Sequence, residues 1–131
     1  MLRRLIVSLL STVIFSLILA YMMFTPVSER NPDSWYDSFG APIPILLLIT
    51  GLAYLVGGIP ISIFIDKNVE KEIIKLIFYL IAGFIVGVLT ITIVSLLSGG
   101  PITFSFFAFG IYGSVGSSIF FIFMILTIRI K

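Results

Sequence analysis

Long stretches without a single charge, separated by short polar segments, dominate this chain, and they recur at a length set by the thickness of a bilayer. A hydrocarbon core about 30 Å thick requires about 20 helical residues at a rise of 1.5 Å each. Leu5–Met23 is the first such run, within an uncharged stretch that extends to Ser28. A second uncharged stretch covers Ser38–Ile65, and its helix is expected from about Ile43 because Pro42 and Pro44 suit a first turn. Leu76–Ile128 then holds 53 residues without a charge, about twice what one span needs. Ser98-Gly99-Gly100-Pro101 near its middle predicts a tight turn between two spans. The pattern predicts an all-α polytopic membrane protein with four transmembrane helices packed as a bundle. The spans fall at about 5–25, 43–65, 73–97 and 102–128, in a single integral membrane domain over residues 1–131.

Composition agrees. Of 131 residues 60% are hydrophobic and 11% charged, against roughly 25% charged in a soluble domain, so no water-soluble fold can hide so much apolar surface. Arg3 and Arg4 ahead of an apolar run resemble the start of a signal peptide. The run through Met23 is longer than a signal core of roughly 7–15 residues, and no A-x-A-like cleavage site follows. It is expected to stay as the first span.

The charges also orient the chain, because Lys and Arg are retained on the cytoplasmic side. Arg3 and Arg4 precede span one, Lys67, Lys71 and Lys75 lie between spans two and three, and Arg129 and Lys131 follow span four. The opposite side has Arg30 alone, accompanied by Glu29, Asp33 and Asp37. Both termini are therefore expected in the cytoplasm of a multi-pass plasma-membrane protein. Trp35 and Tyr36 are expected to hold the outer loop at headgroup level. On the inner side, Asn68 is a candidate cap for the third helix, with Glu70 and Glu72 near its positive end. Lys67, Lys71 and Lys75 recur every four residues, as a basic stripe facing anionic headgroups would.

Between helices in lipid there is no hydrophobic drive, so association depends on small residues that let backbones approach. Span one offers Ser8, Thr12, Ser16 and Ala20; span two Gly51, Gly58 and Ser62; span three Gly83 and Gly87, continued by Thr90; span four Gly110, Ser114 and Ser118. The expected role is helix packing, and the alternative is a path lined by hydroxyls and bare backbone. In span two, Gly57-Gly58-Ile59-Pro60 predicts a kink at Gly58 and Pro60, since Pro60 removes a backbone donor.

Chemistry is mostly excluded. The chain has no cysteine and no histidine, which removes disulfides, thiolate chemistry and imidazole acid–base catalysis. Its eight basic residues are too scattered for a nucleic-acid surface. No catalytic residue, cofactor or metal ligand is assigned. The carboxylates of the loops, Asp33 and Asp37 on one side and Asp66, Glu70 and Glu72 on the other, are the remaining candidates for an embedded enzyme, with solvated surface as their ordinary role.

Length and four spans are similar to the small multidrug-resistance exporters, but those require a glutamate in the first span, where this chain has only Ser, Thr and Tyr as polar residues. The plan of four spans with Gly58-Ile59-Pro60, Ser62 and Asp66 closing the second also resembles small uncharacterised four-span membrane proteins of Gram-positive bacteria. That resemblance implies the architecture and a plasma-membrane location, and no activity. The expected function is a non-enzymatic accessory or interaction subunit, with the lipid bilayer and another membrane protein or a second copy as partners. The alternative is a small passive channel or facilitator acting as an oligomer.

Overall fold

A computed structural model of the protein describes residues 1–36, 38–100 and 105–129, the side chain of Ser105 excepted. Among these residues the regular structure is helical throughout, and four segments are long and apolar enough to cross a membrane. Helix α1 spans Leu2–Met23. The second crossing begins as α2, Ile43–Leu52, passes through a π-helical segment at Ala53–Gly58, and ends as α3, Ile59–Asn68. Helix α4 spans Glu72–Ser98 and α5 spans Ser105–Arg129.

The π segment has a chemical cause. Pro60 has no N–H for the carbonyl four residues earlier, and its ring crowds that carbonyl. The Ile59 N–H instead reaches back five residues to the Tyr54 carbonyl. The wider turn places the break one turn before the proline rather than at it.

The turn after α4 starts as its glycines suggest: Gly99 caps the helix in the left-handed conformation, φ 67°, and the Gly99 and Gly100 amides both reach the Ser95 carbonyl. Pro101 and the expected first residues of span four, from Ile102, lie outside the described residues.

The connection between α3 and α4 differs from expectation. Asn68 does not cap α4; it ends α3, donating its side-chain amide to the Phe64 carbonyl at 2.8 Å. Helix α4 starts at Glu72 after an extended Lys71, with no side-chain cap. Val69 and Lys71 are extended, so the chain breaks between the lysines. Lys67 belongs to α3 and Lys75 to α4, and the three do not form one helical stripe.

Packing follows two close pairs. Helices α4 and α5 form a hairpin, α1 lies along α2, and α1 also packs on α5. Helices α2 and α4 have almost no direct contact. The buried centre is aromatic: Phe15, Tyr54, Tyr79, Phe120 and Phe121 cluster with Val7, Ile65 and Met124. Tyr54 and Phe120 stack at 5.9 Å, and Tyr79 leans on both Phe120 and Phe121.

Candidate functional site

Small residues in α4 and α5 bring the two backbones into direct contact. A Cβ added to Gly83 or Gly113 would collide with the carbonyl oxygen of the other, and one on Gly87 would meet the Phe109 carbonyl. Gly110 receives the Phe84 ring. Ser114 donates to the Leu80 carbonyl at 3.0 Å across the same seam. On α1, Ser8, Thr12, Ser16 and Ala20 are all buried. Ser16 and Thr50 share a 2.7 Å hydrogen bond between α1 and α2, and the Thr12 hydroxyl donates to the Ser8 carbonyl of its own helix. Gly51 offers a looser approach, with the Thr12 methyl 3.6 Å from its added Cβ, and at Gly58 the Tyr54 ring lies at 3.3 Å. Gly51, Gly83, Gly87, Gly110, Ser114 and Ser16 thus meet a neighbouring helix, whereas Gly58 meets a ring of its own crossing.

What the helices leave between them is a cavity of about 460 Å³. Its walls come from all four crossings: Met22 and Phe15 of α1, Leu46 and Thr50 of α2, Val86, Thr90 and Val94 of α4, and Tyr112 and Gly113 of α5. The lining is almost wholly carbon. The polar groups on it are largely occupied: Thr50 donates to the Leu46 carbonyl, Thr90 to the Val86 carbonyl and Ser117 to the Ser114 carbonyl. Tyr54, whose hydroxyl donates to the Gly116 carbonyl at 2.6 Å, forms the inner wall with Tyr79 and Phe120.

Beyond that aromatic wall, at the end of the bundle that carries Arg3 and Arg4, is a charged group. Arg4 donates to the Ser62 hydroxyl at 2.6 Å and to Asp66 at 2.8 Å; Lys75 approaches the other Asp66 oxygen at 3.5 Å. Ser62, fully buried, donates its own hydroxyl to the Ile59 carbonyl at 2.8 Å. The pair is three-quarters or more buried, with Arg4 18% and Asp66 25% exposed. Residues from the first turn of α1, the last turn of α3 and the first turn of α4 are thus tied together.

No protein-family model, curated protein or solved structure matches this chain. Its own geometry therefore carries the functional argument.

The opposite loop is less organised for chemistry. Trp35 is fully exposed at 102%, and Arg30 lies over the rings of Phe24 and Tyr36 while donating to the Thr25 carbonyl. Asp33 is exposed, its amide bonded to the Asn31 side chain, and Asp37 lies outside the described residues. No group of three metal-ligating side chains occurs among the described residues. Three participants were not singled out from sequence: Tyr54, Tyr79 and Arg4. Arg4 counted only toward orientation, and its partners lie about sixty positions away, where no local periodicity points.

Proposed function

We propose that this protein is a non-enzymatic interaction subunit of the membrane, and that its partner is a hydrocarbon chain of a lipid held in the cavity between the four crossings. The observation that carries the reading is the shape and lining of that cavity. Its wall on α4 runs from Tyr79 to Val94, a length of roughly 22 Å at 1.5 Å per residue. An elongated, almost wholly apolar slot of this volume suits an extended hydrocarbon chain.

Access supports the same occupant. Helices α2 and α4 both line the cavity yet have almost no direct contact, which leaves room for lateral access between them. Apolar pockets of 300–1,000 Å³ are the usual size for a small ligand. A conduit for ions or polar solutes is a poorer account, since such a path is lined by polar groups and this one meets Tyr54, Tyr79 and Phe120. In the accessory role, the outward apolar face of α4 remains for other lipids or for another membrane protein. The basic end is placed on the cytoplasmic side by the same charge argument as before.

The test is photolabelling of the full chain in vesicles with a phospholipid bearing a diazirine on its acyl chain. Label is expected on the cavity residues Ala82, Val86 and Thr90 beyond that on the adjacent lipid-facing Ile85, Leu89 and Ile93, and it is lost from the cavity alone in the filled variant Ala82→Phe/Thr90→Phe. Labelling confined to Ile85, Leu89 and Ile93 sinks the reading.

A further inference from the structure

The basic end of the bundle holds more buried donors than its ion pairs use. Besides the Arg4, Ser62, Asp66 and Lys75 group, four buried polar atoms have no hydrogen-bond partner among the described residues: Arg3 Nε, Ser8 Oγ, Ser11 Oγ and the Tyr79 hydroxyl. Tyr79 is only 3% exposed. Its hydroxyl lies beside Ser62, the residue to which Arg4 donates. Arg3 sits one turn before the buried Val7, and Arg4 one turn before the buried Ser8, so both arginines rise from the packed face of α1. Lys75 stands one turn from Tyr79 on α4.

Charge and donors point the same way. Arg4 and Lys75 share one carboxylate, Asp66, whose two oxygens are both engaged, and Arg3 has no ion-pair partner among the described residues. Buried donors left unpaired are unfavourable, and the complement to this surplus is an acceptor-rich anion. Position narrows the choice: the cations belong to terminal turns of helices long enough to cross a membrane, and basic pockets between crossings receive anionic headgroups.

We propose that the inner mouth formed by α1, α3 and α4 is a binding site for one phosphate group, held by Arg3, Arg4 and Lys75, with the Tyr79 hydroxyl donating from inside the bundle. Asp66 acts as a positioning residue that fixes Arg4 and Lys75. A phospholipid headgroup and free phosphate present the same chemistry. Of Arg3, Arg4, Lys75 and Tyr79, only Tyr79 also lines the cavity, so the cations test this site apart from the hydrocarbon reading.

The full chain in a mild detergent is titrated in turn with phosphatidylglycerol, phosphatidylcholine and inorganic phosphate while thermal unfolding is followed. A saturable rise in Tm is expected. Saturation by phosphatidylglycerol at a concentration at least about tenfold below that for inorganic phosphate assigns a lipid headgroup, and the reverse order assigns free phosphate. Arg3 Nε and the Tyr79 hydroxyl have no hydrogen-bond partner among the described residues, and Arg3→Gln and Tyr79→Phe remove them. Their unliganded Tm stays at the wild-type value, while half-saturation rises about tenfold in each. Absence of saturable stabilisation from every phosphate source overturns the proposal. So does an unchanged half-saturation in either variant, or an equal shift from potassium chloride at matched ionic strength.

Discussion

Tyr54 and Asp66 lie about three turns apart in the second crossing, yet they stabilise it differently. The Tyr54 hydroxyl bonds a carbonyl of α5, whereas Tyr54→Phe keeps the ring stacked on Phe120. Hydrogen bonds between membrane helices average about 0.6 kcal/mol and reach about 1.7, so this variant is expected to lose about 1 kcal/mol in reversible unfolding from mixed micelles. Asp66→Asn removes the counter-charge of Arg4 in a largely buried pair and is expected to cost about 2 kcal/mol, between an exposed pair and a fully buried one. Lys75→Gln, which gives up only the longer 3.5 Å contact, is expected to lose under about 1 kcal/mol. A double-mutant cycle of Arg4→Gln with Asp66→Asn isolates the coupling of the pair. Little of this was legible in the sequence. Ser62 and Asp66 stood out beside a proline, but their contact with Arg4 joins residues 58 and 62 positions apart, and nothing local records such a pairing.

Among the elements, the glycines separate sharply by what they face. Gly113→Ala drives a methyl into the Gly83 carbonyl of the facing helix, and neither backbone can yield without opening the hairpin. A loss of about 2–3 kcal/mol is expected. Gly51→Ala meets only the Thr12 methyl at 3.6 Å, and with the better helix propensity of alanine its stability is expected within about 0.5 kcal/mol of wild type. Unfolding of both variants under one set of micelle conditions compares them directly. Helix number and type were legible because an uncharged run of about 20 residues has few other uses. Which helix pairs with which was not, since faces toward lipid and toward protein are equally apolar. The expected cap at Asn68 failed for a related reason: a polar residue between two helices can end the first as readily as start the second.

For the whole molecule, the two ends differ enough to be told apart from either side of a membrane. Since the chain has no cysteine, single cysteines report position without background. Ser34→Cys in the exposed loop is expected to react with an impermeant maleimide added to intact cells, and Glu70→Cys only after permeabilisation. The opposite result reverses the orientation. That expectation rests on the charge distribution, with seven basic residues against one. The cavity was not legible, because it arises where α2 and α4 fail to meet, and a gap leaves no mark on the residues beside it.

The π segment has one last consequence, for the phase of the second crossing. In an unbroken α-helix each residue advances by about 100°, so Thr50 and Ser62 would point about 120° apart. The wider turn at Ala53–Gly58 absorbs about one residue, which brings them within about 20° and lets one crossing meet α1 at both ends, through Ser16 and through Arg4. The segment acts as a one-residue frame correction. Deleting the exposed Val56 is expected to keep both contacts in register and stability near wild type in micelle unfolding, whereas deleting the exposed Leu48 puts everything before it out of phase with all that follows and lowers stability.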